Sequence, residues 1–232
     1  MSRLTALFAG ALAAVLIAAC GGLQPEDPAL ALKQGGAALG SLHTVTASLK
    51  VTKGTITFQG FALVSATAAV RLPDASDTNY LVRDKDLQIG FEVVILGGHV
   101  YLKPPLLKFE ELTPDQGAQI PDLGKMFDSV TGLPAVIPAG RNPQYLGAEQ
   151  VDGVDSHKVS ATYSADQIKG VLPQLSSIGE VEATVWVGGS DHYIRKAVLS
   201  GKFGDDGTDS TVEVDLSGFD GAVNIASPAR PS

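Results

Sequence analysis

The stretch Thr55–Leu72, TITFQGFALVSATAAVRL, decides what kind of protein this is. Its even positions are apolar almost throughout, which is the period-two pattern of a half-buried strand. One long strand is expected here, with Ile56, Phe58, Ala62, Val64, Ala66, Ala68 and Val70 on a single face. The centre of that face is built of small side chains. Protein interiors are normally close-packed, so such a face either packs against a helix, such as Leu123–Val130, or borders open space. Aromatic residues make up only 6% of the chain, so little bulk is at hand to fill such a space.

The same period continues on both sides. Upstream, Val45, Ala47, Leu49 and Val51 alternate with Thr44, Thr46, Ser48 and Lys50. Downstream, after a Pro73-Asp74 turn, come Asn79–Arg83 and then Leu87, Ile89, Phe91, Val93 and Ile95 on one face. Gly97-Gly98 and Asp152-Gly153 each sit between two alternating runs, the signal of a two-residue hairpin. Further strands are expected at His99–Lys103, Gln144–Val151, Val154–Tyr163, Val181–Val187, Tyr193–Phe203 and Thr211–Phe219. The spacing of Val181, Ala183, Val185 and Val187 predicts that these four are more buried than Glu182 and Thr184, with Trp186 on the opposite face.

Helical signals fall in clusters. Ala29–Leu42 reads as a modest helix whose middle is weakened by Gly35-Gly36. Thr113-Pro114-Asp115-Gln116 and Ser164-Ala165-Asp166-Gln167 carry capping-box spacing. Leu123, Met126, Phe127 and Val130 follow at helical spacing, with Gly132 placed as a C-terminal cap. Roughly ten strands joined by hairpins, with helices grouped instead of alternating with them, argue for an α+β fold on an antiparallel sheet. One domain over residues 29–232 is the simpler organisation.

The first residues have another job. Arg3 precedes an Ala/Leu/Val run from Leu4 to Leu16, too short to span a bilayer as a helix but right for a secretory h-region. It closes on Ile17-Ala18-Ala19-Cys20, which matches the bacterial lipobox at all four positions. Residues 1–19 therefore read as a lipoprotein signal peptide and residues 20–28 as a tether lipidated on Cys20. The expected location is the cell membrane, lipid-anchored on the extracytoplasmic or periplasmic side, with palmitate a suitable label for the acyl group. Two or more acyl chains hold firmly where one does not.

Cys20 is the only cysteine, so no disulfide forms within the chain. Without Arg3, 16 basic residues face 25 acidic ones, a net charge of −9. That disfavours nucleic acid, which needs a clustered basic surface, and gives no overall pull toward anionic headgroups. Ser190-Asp191-His192 holds the residue types of a hydrolase triad, but consecutive residues in a turn do not converge as a triad must. His43, His99, His157 and His192 lack helical metal spacing. Gly204–Asp209 lacks the ligand pattern of a calcium loop. The residues point to no enzyme, cofactor or metal.

Several segments taken in order carry a resemblance. They are Phe91-Glu92-Val93-Val94 before Gly97-Gly98, Val100-Tyr101-Leu102 after it, Thr131-Gly132-Leu133, Val151-Asp152-Gly153 and Ser164-Ala165-Asp166. The most telling is Ala183-Thr184-Val185-Trp186-Val187 followed by Asp191-His192. Behind a lipobox, this order resembles the LppX/LprAFG family of mycobacterial lipoproteins. The resemblance implies a strongly curved antiparallel sheet, a half barrel similar to that of the LolA/LolB carriers, with helices on its concave face. It also implies an apolar cavity for multi-acylated lipid, an acylated lipid or glycolipid as partner, and transport toward the outer envelope alongside an envelope transporter. No catalytic residue carries over.

Under that resemblance the alanine face is read as cavity wall. The expected lining is then the Ile56–Val70 face, the Leu87, Ile89, Phe91, Val93 and Ile95 face, and Leu123, Met126, Phe127 and Val130. The competing reading is an envelope interaction or assembly lipoprotein with no lipid cargo.

Overall fold

The computed structural model describes residues 23–171, 178–203 and 207–228. The expected signal peptide, residues 1–19, and Cys20 lie outside the described residues. The elements run α1 (Pro28–Gly40), β1 (Thr44–Lys53), β2 (Thr57–Phe58), β3 (Phe61–Arg71), β4 (Ala75–Asp84), β5 (Leu87–Leu96), β6 (His99–Lys103) and β7 (Glu110–Glu111). Then follow α2 (Pro114–Gly117), α3 (Leu123–Met126), α4 (Leu133–Val136) with a 3₁₀ turn at Ile137–Ala139, β8 (Arg141–Val151) and β9 (Val154–Tyr163). The chain ends with α5 (Ala165–Val171), β10 (Val181–Gly188), β11 (Ile194–Lys202) and β12 (Asp209–Ser217).

Among the described residues, twelve strands form one open antiparallel sheet in the order β7-β6-β5-β4-β3-β1-β12-β11-β10-β9-β8, with β2 paired to β3. The chain starts at the centre and winds outward by hairpins to β7. The segment bearing α2 to α4 then crosses one face to the far edge, and the remaining strands wind back until β12 pairs with β1. The half-barrel expectation holds: the helices lie on one face, which is the concave one.

The quoted stretch is not one strand. Gln59 and Gly60 both have positive φ, at 52° and 82°, and close a tight hairpin between β2 and β3. A second irregularity follows at once. In the pairing of β3 with β4, Leu63 faces Val82 and Ser65 faces Leu81, so Val64 is an extra, bulged residue. The two-residue turn moves the apolar face to odd positions, and the bulge moves it back. Thus Phe58, Leu63, Ala66, Ala68 and Val70 share the concave side, while Ala62 and Val64 do not. The other hairpins sit at Gly97-Gly98 and Asp152-Gly153 as their chemistry dictates.

On β10 the concave face is Val181, Ala183, Val185 and Val187, each at most 4% exposed. Glu182 is exposed and Thr184 half-buried. Trp186, on the convex face, donates from Nε1 to Glu149 Oε2 at 3.1 Å, beneath the Lys158 ammonium.

Helix α1 begins where Asp27 accepts a hydrogen bond from Leu30 N at 2.8 Å, with proline in the first turn. Its two central glycines are contact points, not weaknesses. A Cβ on Gly36 would lie 2.7 Å from the Pro134 carbonyl oxygen, and one on Gly35 would lie 3.0 Å from Ile194. Leu32 and Leu39 then pack with Val45, Val159, Val187 and Ile194 into a filled core. Ahead of the helix, residues 23–27 lie on the sheet: Leu23 covers Gly189, and Glu26 meets the buried His157 at 3.2 Å.

The expected Leu123–Val130 helix is only one turn. Asp122 caps α3 through Lys125 N, and the helix stops at Phe127. Asp128 then accepts from Val130 N and Thr131 N, which turns the chain and leaves Val130 78% exposed. Gly132 does not end this helix. It precedes α4, and its own Cβ would strike Met126 and Asp128 backbone atoms. Among the described residues no helix is long and apolar enough to cross a membrane.

Candidate functional site: an apolar cavity

Between the middle strands and the crossing segment lies a cavity of about 230 Å³. Its floor is the concave face of six adjacent strands. β1 contributes Ala47 and Leu49; β3 contributes Leu63, Ala66 and Ala68; β4 contributes Thr78 and Tyr80. On the other side of the seam, β10 gives Ala183 and Val185, β11 gives Ile194, Ala197 and Leu199, and β12 gives Val214 and Leu216. Alanines stand on four of the six strands, which is why the floor is low. The roof is Leu39 of α1, the segment from Pro121 to Phe127, Leu133, Val136 and Ile137 around α4, and Ile168 of α5. Ile56, Thr57 and Phe58 close one end.

Among the described residues no charged side chain reaches this surface. Tyr163 spends its hydroxyl on the Ile137 carbonyl at 2.9 Å, which ties α4 to β9. Burial pushes the phenols of Tyr80 and Tyr163 well above their ordinary value, so both stay neutral. A mostly apolar lining suits an apolar occupant, as when an engineered void of roughly 150 Å³ takes up benzene.

Seven of the expected lining residues border the cavity: Ile56, Phe58, Ala66, Ala68, Leu123, Met126 and Phe127. The others are elsewhere, each for a visible reason. Ala62 and Val64 lie between the hairpin and the bulge, where parity is reversed. Val70 is fully buried in the core beneath α1. Val93, Ile95, Ile89 and Phe91 pack with Ile120 and Leu112 of the α2 region, so that flank is filled. Phe91 stacks on Tyr80 there at 5.1 Å between ring centroids. Leu87, beside the β4–β5 turn, is 64% exposed, and Val130 is past the end of α3. The lining that sequence reasoning missed is mostly the far half of the floor. The alternation in β10 and the small Ala183 and Ala197 were its only sequence signal.

Asp191 does not face His192. Its carboxylate takes two hydrogen bonds from Arg195, at 2.6 and 2.9 Å, which hold it below the usual carboxylate range. Three of the histidines each meet one carboxylate: His43 with Asp220, His99 with Glu111 and His157 with Glu26. Among the described residues no three His, Cys, Asp or Glu side chains converge as metal ligands.

Residues 27–225 match the family model described as LppX_LprAFG lipoprotein. The chain belongs to this family. A lipoarabinomannan carrier protein, LprG of Mycolicibacterium smegmatis, is 29% identical over 112 residues, 48% of this chain and 45% of that protein. A putative diacylated glycolipid transporter, LprF of Mycobacterium bovis, is 28% identical over 120 residues, 48% of this chain and 43% of that one. The chain spans about half the length of the curated relatives it matches. Two family structures share the fold. LprF from M. bovis has a TM-score of 0.69 at 22% identity, covering 90% of this chain and 100% of its own. LppX from M. tuberculosis has a TM-score of 0.60 at 22% identity, covering 87% and 100%.

Proposed function

We propose that this LppX/LprAFG lipoprotein is an extracytoplasmic carrier, anchored through acyl chains on Cys20, that shelters the acyl chains of a lipid or glycolipid in its cavity. Residues 1–19 are its signal peptide, residues 20–28 its lipidated tether and residues 29–232 its lipid-binding domain. The observation that carries this reading is the cavity itself. An unfilled apolar void costs about 24 cal/mol per Å³ relative to a filled core, so about 230 Å³ costs roughly 5–6 kcal/mol. A typical domain has only about 5–15 kcal/mol of net stability. A void on that scale is kept for an occupant. The names of the LprG and LprF relatives point the same way.

The transfer energies explain the need. At about 0.8 kcal/mol per CH₂, a sixteen-carbon chain costs roughly 12 kcal/mol to expose to water. A sheltered chain avoids most of that barrier, while a polar headgroup stays at the mouth because the lining offers it no charged partner. The cargo passes to or from an envelope transporter.

The test is organic extraction and mass spectrometry of the full chain purified from envelopes. Acylated lipid near one molecule per protein is expected, and protein that carries none overturns the reading. The anchor is tested separately with radiolabelled palmitate, which should label the wild type and leave Cys20→Ala unlabelled.

A further inference from the structure

Four hydroxyl-bearing side chains border the cavity: Thr57, Thr78, Tyr80 and Tyr163. Tyr163 is committed to the Ile137 carbonyl, and Thr57 is exposed on β2. Thr78 and Tyr80 are different. They stand two apart on β4, so both point to the concave face, and they are only 3% and 7% exposed. Burial raises the Tyr80 phenol, and the neighbouring Thr78 hydroxyl alone counters it. Two hydroxyls bring two O–H donors, and a contact between them uses at most one. Among the described residues no carbonyl or carboxylate accepts the second. A buried donor with no acceptor is costly, and here it faces open space. The Cα partners of Tyr80 and Thr78 on β3 are Ala66 and Ala68, the two smallest side chains of that wall.

We infer that Thr78 and Tyr80 form a carbonyl-recognition pair, which hydrogen-bonds the ester carbonyl of an acylated cargo and so selects neutral ester-linked lipids over ether-linked ones. The inference rests on the carrier reading and adds to it the linkage that the cavity reads. An acyl ester brings an acceptor and no donor, which matches a site with one spare donor. An ether oxygen is a weaker acceptor. A free fatty acid brings a carboxylate, for which the lining has no cation.

The experiment is a competition on the delipidated full chain between dipalmitoylglycerol and its diether analogue, dihexadecylglycerol. Wild type should prefer the diester by roughly five- to tenfold, the worth of one hydrogen bond. Tyr80→Phe combined with Thr78→Val should bind the diether as wild type does and bind the diester no better. Equal binding of the two probes by wild type overturns the inference and leaves the carrier reading intact. Binding of neither probe overturns the carrier reading. A preference that survives the double substitution also overturns the inference. Should the double variant fail to fold, Tyr80→Phe alone keeps the ring and should still narrow the preference; an unchanged ratio there overturns it as well.

Discussion

One sheet is covered in two ways. Beneath α1 the cover is thirteen residues of continuous helix, brought within contact of its neighbours by Gly35 and Gly36. Leu32, Val45, Val159 and Val187 are packed together there, each at most 1% exposed. Beneath α3 and α4 the cover is two single turns of four residues each, over a floor of alanines. A lone turn fixes several dihedrals for one or two hydrogen bonds and is marginal by itself. The first region is therefore a fixed wall. The second is held less by bonds within its own turns than by packing, through Pro134 against Gly36 and the Tyr163 hydroxyl on the Ile137 carbonyl.

The contrast is largest for added bulk. Gly36→Val places a branched side chain against the Pro134 carbonyl and the Pro138 ring, and should cost roughly 3 kcal/mol in denaturant melts. Ala66→Trp adds far more volume yet enters the cavity. It should leave the melting temperature nearly unchanged and remove co-purifying lipid. A loss of stability like that of Gly36→Val would mean that the middle is as solid as the flank.

Helix caps give a smaller contrast. Asp27→Ala removes the cap of α1 and should cost about 1 kcal/mol. Asp122→Ala makes the same edit at α3. It should barely move the melting temperature while speeding amide exchange over Leu123–Phe127. Equal costs at the two sites would break the comparison.

The pH dependence is smaller again. The Arg195 guanidinium holds Asp191 below the ordinary carboxylate value. A depressed carboxyl contributes stability above its unfolded value, near 3.9, and loses it as pH falls through the folded value. Arg195→Met should therefore weaken the protein at neutral pH and flatten its stability curve below about pH 4. Parallel curves for the two proteins would show that the pair contributes nothing.

Much of this was legible in the chain. Gly97-Gly98 and Asp152-Gly153 declare their turns because glycine adopts positive φ at little cost. The capping box at Thr113 closes as its spacing predicts, with both reciprocal bonds present. The Gln59-Gly60 turn was hidden because glutamine seldom takes positive φ and the apolar rhythm ran straight through it. The bulge at Val64 then restores the even face, so Ile56 and Ala66 border the cavity while Ala62 does not. α3 was overread because Leu123, Met126 and Phe127 do keep helical spacing. Asp128 stops the helix with its own side chain, and a local competition of that kind leaves no periodic trace. The roof over Leu133–Ile137 depends on packing among distant segments, which no local pattern records.

The pairing of β1 with β12 bears on how the molecule comes into being. The two strands meet at the centre of the sheet, and Thr55 bonds Ser210 from 155 residues away. Until that join closes, the chain is two separate meanders, each with an apolar face turned to water. Contacts so remote in sequence are slow to form, since a long loop must be ordered before they repay it. Both strands belong to the cavity floor. The cavity floor is therefore completed only where strands far apart in sequence meet, and a chain halted short of Asp209 would lack β12 and with it Val214 and Leu216 of that floor.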